Sequence, residues 1–337
     1  MKQSELLKTI ASLTPYQKRK LEMYIIDAFN LNETDKETRP EICPYCHKKT
    51  KMIKKGFKCG KQRYQCKECK HVFTYNSHTI TMYSKIERSM FAQIVLDTLS
   101  CVPIKQTAAD LNLSIPCIFE NRHKILCALE KLLTIEKQKL GGTIEIDETF
   151  ILESQKGSKN ITRKARKRGE PSNFRGLSHE QVCIATTTDR NGHEIFKMIG
   201  YGKPTSNSIQ EAFGESLVEK SIIYTDGATC YDKLAKNRKC KLVSLKTHKS
   251  YNQVEHLNTV NCIHSIISKQ IEQFRGVATK YMNRYLSLFV FIRRFQDMDD
   301  NELLPIILRK MKNLQFTISR NRLKTSYLVP FYSTLFT

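Results

Sequence analysis

Two groups of residues in this sequence have the types and spacings that chemistry needs. The first is a set of four cysteines in two matched pairs, Cys43-x-x-Cys46 and Cys66-x-x-Cys69, with nineteen residues between Cys46 and Cys66. Pairs at that spacing form two knuckles that close one tetrahedral thiolate site for zinc, and two matched pairs are far more specific than one. A segment of this size also needs a metal, because it cannot bury enough apolar surface to fold alone. Cys59 falls between the knuckles and is not counted as a ligand. The second group is acidic. In Thr143-Ile144-Glu145-Ile146-Asp147-Glu148-Thr149 the side chains of a strand alternate, so Ile144 and Ile146 turn to a core while Glu145 and Asp147 share the other face. Acids on a buried strand are costly unless they bind a cation or hold a special pKa. Asp226 closes a further β-branched run, Ser221–Thr225, just before Gly227. Two aspartates on adjacent strands can bridge Mg²⁺, and a pair of such ions would activate one oxygen and stabilise another during in-line phosphoryl transfer. Taken singly, Asp147 reads as a strand-edge acid and Asp226 as a turn acid.

The elements that must bring these acids together are legible as short β-branched runs after Gly141-Gly142: Thr143–Leu152, Gln181–Asp189, Ile195–Ile199, Ser221–Thr225 and Lys241–Leu245. Asn191-Gly192 is the turn between the second and third, which makes the first three an antiparallel meander. A helix over about 206–219 then leads into the fourth strand by a right-handed crossover, laying it parallel to a neighbour with Asp226 at its carboxyl end, beside Asp147. The order βββαβαβα is the ribonuclease-H-like arrangement. The expected fold class is therefore α+β and multidomain. N-terminal helices occupy residues 1–40, a zinc ribbon 41–80 and a helix-turn-helix region 81–140. A ribonuclease-H-like core with a mixed five-stranded sheet occupies 141–296, and a helical tail 297–337. In the first segment Leu6, Leu7, Ile10 and Leu13, then Leu21, Tyr24, Ile25 and Phe29, recur at helical spacing. In the third, Ile104–Leu111 forms a short helix with small Ala108 and Ala109, Asn112-Leu113 turns, and Ser114 caps a second helix running to about Leu129. That second helix would carry Ser114, Cys117, Asn121, Arg122 and Lys124 to a groove. An ordinary αα-hairpin is the plainer alternative.

Lys+Arg number 56 against 33 Asp+Glu, a net charge of +23, and such a surplus implies a polyanionic partner, with nucleic acid the default. The ribbon's Lys54, Lys55 and Arg63 are candidate DNA contacts. So are Lys164, Arg166, Lys167 and Arg168 in the long insert over 152–180, which otherwise reads as a solvated loop. The longest apolar run, Tyr285 to Ile292, is far short of the ~20 residues of a membrane span. The amino terminus lacks a signal-peptide core, and paired cysteines in a long chain suit a reducing, cytoplasmic setting.

The pieces CPYC…CKEC, IEIDETFILES, RKRG…RGLSHEQVCI, YTDGATCYDKL, HLNTVNCIHS and FRGVATKYMNRYL stand in order over about 41 to 290. In this the chain resembles bacterial insertion-sequence transposases of the DDE class, the ISXO-like group (insertion-sequence family fifteen-ninety-five). The resemblance implies that Asp147 and Asp226 are the first two catalytic acids and that Asn261 holds the third place, where this group often has Asn instead of Glu. It implies binding of terminal inverted repeats, Mg²⁺-dependent strand cleavage and strand transfer, double-stranded DNA partners at element ends and target, and a dimer or larger homo-oligomer. Relatives carry Lys seven residues after the third position. Here that place is Ser268 and Lys269 is next to it, rotated ~100° around the helix. His264, three residues after Asn261, reads either as a contact to the scissile phosphate or a metal, or as a packing histidine. Two other functions stay open on the residues: a catalytically inactive DNA-binding protein, and a structure-selective nuclease on the same fold.

Overall fold

Knuckles, a helical cluster and a mixed sheet follow one another along the chain in a computed structural model that describes residues 3–14, 17–18, 21, 39–58, 61–165, 170–245 and 255–324. Helix α1 (Gln3–Ser12) precedes the ribbon. Tyr24, Ile25 and Phe29 lie outside the described residues, as do Cys59 and the basic residues Arg166, Lys167 and Arg168. The ribbon is an antiparallel sheet of β1 (Met52–Lys58), β2 (Lys61–Cys66) and β3 (Val72–Thr74). Its buried core consists of Cys43, Met52, Tyr64, Cys66 and Phe73, too few apolar groups to offset the entropy of ordering the segment.

Helices α2 (Arg88–Leu99), α3 (Ile104–Asp110) and α4 (Ile115–Glu136) come next. The cap expected at Ser114 is present: Cys117 N–H donates to Ser114 Oγ at 3.4 Å, and Pro116 occupies the first turn, where a missing N–H costs nothing. Asn112, in the left-handed region at φ 52°, turns the chain between α3 and α4. The groove-facing assignment of α4 is overturned at two positions. Arg122 is fully buried: its guanidinium donates to Val102 O at 2.7 Å and to Thr107 Oγ1 at 3.2 Å, and stands over the Phe274 ring. Asn121 is buried too, with its amide on Cys117 O at 2.8 Å. The reason is tertiary. From Ile118 to Leu129 this helix is covered by α2 and α3 on one side and by later helices on the other, so its polar residues bond within the protein. The exposed part of α4 begins with Ser114, Ile115 and Pro116 at its amino end.

The central sheet contains β4 (Thr143–Leu152), β5 (Gln181–Asp189), β6 (Glu194–Tyr201), β7 (Ile222–Thr225) and β8 (Lys241–Ser244) in the order β6-β5-β4-β7-β8. β4, β5 and β6 are antiparallel, while β7 and β8 run parallel to β4. The meander turns where expected. Asp189 Oδ1 accepts from Asn191 N–H at 2.9 Å and His193 N–H at 3.0 Å, and Gly192 supplies the positive φ. The helix predicted over 206–219 is shorter, α5 (Ser206–Phe213), because the next residues are captured by the sheet. Leu140 N–H donates to Ser216 O and Val218 N–H to Leu140 O, both within 2.9 Å, with Leu217 buried between.

The remaining helices are α6 (Asp232–Asn237), α7 (Asn258–Gln273), α8 (Met282–Arg294), α9 (Asp300–Asn313) and α10 (Arg320–Lys324). On one sheet face, Ile144, Ile146, Cys183 and Ala185 pack on α5 and α6 through Ile209, Phe213, Leu234 and Ala235. On the other, Ile184, Phe196 and Met198 join α7 and α8 in a core that also holds Ile94, Ile118, Ile125 and Leu129 of the earlier helices. Truncating a fully buried ring there, Phe289→Ala, would cost about 3–5 kcal/mol. Where α4 meets α8, Arg284 shares a hydrogen bond with His123 and donates to Leu323 O of α10 at 3.0 Å. Burial, reinforced by Arg284 and Arg122, pushes His123 down to about 3, so it stays neutral at physiological pH.

Candidate functional site

Sheet register brings the two aspartates together. β4 and β7 pair Thr143 with Ile222, Ile144 with Ile223 and Glu145 with Tyr224; continuing that register puts Asp226, one residue past the end of β7, level with Asp147, and its charge acts on the Asp147 carboxyl. Asp226 leaves the end of β7 in a tight turn. Its Oδ1 accepts Ala228 N–H at 3.0 Å, which leaves Oδ2 free of that turn. Gly227 is required here: φ is +94°, and a Cβ would come within 2.1 Å of Ser244 Oγ. Asp147 is half-buried, and burial, with a further push from the Asp226 charge, raises its carboxyl to about 6. Asp147, whose ionisation the Asp226 charge opposes, forms with that neighbour a pair of carboxylate donors suited to a divalent cation.

Helix α7 covers this face. His264 Nε2 lies 2.6 Å from Thr186 Oγ1, and the Thr186 hydroxyl donates to Asp147 O at 3.0 Å. With the threonine proton committed to that carbonyl, the ring proton belongs on Nε2. Nδ1, 3.9 Å from Asp147 Oδ2, then presents a lone pair. Burial holds His264 down to about 4, so the ring is neutral at pH 7. Asn261 is exposed three residues earlier on the same helix, and Lys269 is exposed five residues later. Ser268 Oγ folds back onto His264 O at 2.9 Å.

Glu145 has a different role from Asp147, although the two share a strand face. It is 1% exposed and is satisfied by donors: Val260 N–H at 3.0 Å, the Thr259 hydroxyl at 2.8 Å, and the Arg190 guanidinium. The Thr259 and Val260 groups belong to the first turn of α7, so Glu145 is an anion seated on a helix amino terminus. It ties that helix to the strand that carries Asp147. Glu148, on the opposite face, accepts the Tyr231 hydroxyl. Burial raises Glu148 to about 7; the Tyr231 bond pulls the other way, and Asp147 and Asp226 add to the rise. Sequence reasoning missed Glu148, Tyr231, Thr186 and Arg190. The available signal was the acid at position 148, on the core side of an alternating strand, which needed a partner.

The four cysteines meet as their spacing requires. Cys43, Cys46, Cys66 and Cys69 place all four sulfurs within 4.8 Å of one another, with Cys43–Cys69 at 3.6 Å and Cys46–Cys66 at 3.7 Å. Tetrahedral zinc–sulfur bonds of about 2.3 Å would set sulfurs roughly 3.8 Å apart, so the four thiolates could hold such an ion with little adjustment. The two knuckles are built alike. His47 N–H donates to Cys43 O and Lys70 N–H to Cys66 O, and both His47 and Lys70 adopt positive φ. Tyr45 stacks on His71 across the pair, with ring centroids 4.5 Å apart.

Of the basic residues expected to meet DNA, Lys54, Lys55 and Lys164 are exposed and Arg63 is half-buried. The insert is anchored where it is described. Ser154 and Thr279 exchange two hydrogen bonds of 2.8 Å, Lys156 Nζ donates to Arg275 O and Gly276 O beyond the end of α7, and Glu180 gathers Ser172 Oγ and both nitrogens of Asn173. No described helix is long and apolar enough to cross a membrane.

Residues 139–295 match the ISXO2-like transposase domain family. An uncharacterized protein in transposable element ISH50 of Halobacterium salinarum is 25% identical over 277 residues, covering 79% of this chain and 90% of that protein. Among solved structures, the mariner Mos1 paired end complex with Mg gives 16% identity and a TM-score of 0.27, covering 66% of this chain and 75% of that one. The pre-cleavage Mos1 transpososome gives 13% and 0.26 over the same shares.

Proposed function

We propose, for a chain whose domain at residues 139–295 belongs to the ISXO2-like transposase family, that the protein is a DNA transposase acting on the ends of its own insertion sequence. The reading rests on one observation: Asp147 on β4 and Asp226, just past the carboxyl end of the adjacent parallel β7, come together beneath the helix that carries Asn261 and His264. The sheet order and strand directions agree with a ribonuclease-H-like core. In this reading the strand at the element's end is hydrolysed, and the freed 3′-hydroxyl attacks target DNA by in-line displacement, with no covalent enzyme intermediate.

Asp147 and Asp226 hold the catalytic Mg²⁺, and Asn261 adds a neutral carbonyl oxygen. When bound, such ions supply activation of the attacking oxygen and charge neutralisation at the leaving one. His264, neutral and fixed by Thr186, offers Nδ1 to the same space. Glu145 and Arg190 keep α7 in register with β4, and Lys269 reaches for DNA phosphate from the exposed side of that helix. The four cysteines hold structural zinc. The ribbon and the exposed start of α4 meet the terminal repeats, and Lys164 with its neighbours in the insert grips backbone near the reacting strand. Two ends are processed together, so the working form is a dimer or larger.

A strand-transfer assay tests this reading. Zinc-loaded protein, a labelled duplex ending in the repeats that flank its gene, a supercoiled plasmid and Mg²⁺ should give joined products. EDTA or Asp147→Ala should reduce them to background. Cleavage without joining would favour a nuclease. Binding without cleavage in Mg²⁺ or Mn²⁺ would favour an inactive DNA-binding protein, and Asn261→Glu with Ser268→Lys would then be the repair to try.

A further inference from the structure

The outer strand of the ribbon is built for something its own fold does not need. β1 buries only Met52; from Ile53 to Lys58 every residue is exposed, and Phe57 keeps 69% of its surface in water. The pairing with β2 slips on the way. Lys54 stands opposite Tyr64 and Phe57 opposite Gln62, so β1 advances three residues while β2 advances two. Without the extra residue Gly56 would face Gln62, and Phe57 would point to the other side of the sheet. The bulge is held in place: Gly56 takes a φ of +70°, and the buried Gln62 amide donates to Gly56 O and to Arg63 O, both at 2.9 Å. Bulges of this kind re-aim a side chain, and the one re-aimed here is an exposed phenyl ring.

Its surroundings name the partner. Between Glu41 and Glu68 the sequence has nine Lys and Arg and no carboxylate. The ribbon's ion pairs lie at its base, Lys49 to Glu41 at 3.1 Å and Lys48 to Glu68 at 3.7 Å. Lys54, Lys55, Lys58 and Lys61, all within four positions of Phe57 in sequence, are exposed and enter none of the ion pairs found among the described residues. Lysines alone would serve a phosphate backbone and would need neither bulge nor ring. A phenyl group has no charge and no hydrogen bond to give a phosphate; it gains only by leaving water against an apolar surface, and on DNA that surface is the bases. A two-stranded ribbon is narrow enough to enter a groove, and apolar side chains are used to press on base edges and steps.

We propose that the β1–β2 hairpin enters a groove of duplex DNA with Phe57 against the bases and the four lysines on the flanking phosphates. This rests on the DNA-binding reading above and adds the residue that touches bases. The test is the salt dependence of binding by the full, zinc-loaded chain, read by fluorescence anisotropy on a labelled duplex carrying the terminal repeat. Phe57→Ala should weaken binding roughly tenfold at every salt concentration with the slope of log K against log salt unchanged. The double substitution Lys54→Ala, Lys55→Ala should reduce that slope by about 2. Phe57→Leu should recover part of the loss. One zinc per chain in each variant excludes collapse of the ribbon. Binding by Phe57→Ala within about twofold of wild type, or a loss that changes the slope as the lysine variant does, overturns the role of the ring and leaves DNA binding intact. A wild-type chain that binds no duplex overturns both.

Discussion

The ribbon and the sheet both gather side chains of metal-ligating type, but they do so in opposite ways. The four cysteines come from two short knuckles, Cys43 and Cys69 being 26 positions apart, close on one another within 4.8 Å, and sit on a hydrophobic cluster of five buried residues. Asp147, Asp226 and Asn261 come from a strand, a strand end and a helix spread over more than a hundred residues. They occupy the rim of a large core and make no comparable closed group among the described residues. The first is the pattern of a structural site, where ligand binding supplies the folding energy. The second is the pattern of a working site, where a finished fold holds ionisable groups at an energetic cost and leaves positions open.

Metal removal sharpens this contrast most. Stripping zinc, or Cys66→Ser, should unfold residues 41–80, since structural zinc contributes on the order of 10 kcal/mol in small domains. Amides of 141–295 should keep their hydrogen-exchange protection. A ribbon that stays protected without metal would show that its small core suffices, and the contrast would fail.

Next in size is the clamp on α7. Glu145→Ala leaves the Val260 N–H and the Thr259 hydroxyl without their buried acceptor and should cost about 2–3 kcal/mol. Exchange at the first turn of α7 should quicken before that of β4 or β5. Thr259→Ala removes a single donor and should cost about 1 kcal/mol. Equal losses for the two variants would mean that Glu145 carries no more of the clamp than one hydroxyl.

The effect most dependent on conditions is the cost held at Asp147. Its carboxyl is raised from 3.8 to about 6, so the folded state disfavours the ionised form. That penalty is absent below pH 3.8, grows as pH rises, and is complete above about 6. Asp147→Asn should therefore stabilise the metal-free protein by about 1–3 kcal/mol at pH 8 and by almost nothing near pH 4. Denaturant melts at the two pH values check it. A variant no more stable than wild type at pH 8 would mean that the site is already relaxed without its cation.

Much of the sheet was legible. Thr143–Leu152 and Gln181–Asp189 form strands with the bounds read from their β-branched runs, and the turn at Asn191-Gly192 is where it was expected. Local propensity and alternation suffice there because each strand's two faces have different solvents. The helix expected to reach residue 219 ends at Phe213, because Leu140 pairs with 216–218, and nothing local announces a partner seventy-odd residues away. The same limit misplaced Arg122. Its spacing on an amphipathic-looking helix fits a DNA-facing guanidinium equally well, until α2, α3 and α8 close over it.

The sequence by itself determined the contents of the two candidate sites: four cysteines whose spacing leaves them one way to meet, and two aspartates, one on a strand and one at a strand's end. Tertiary structure alone decided the division of labour among neighbouring acids. Glu145, Asp147 and Glu148 are nearly consecutive and chemically alike, yet one seats a helix, one meets the charge of Asp226 beyond the end of β7, and one bonds the Tyr231 hydroxyl. The physical reason is that a carboxylate's role is set by the donors and charges around it, and those arrive from distant parts of the chain only when the sheet closes.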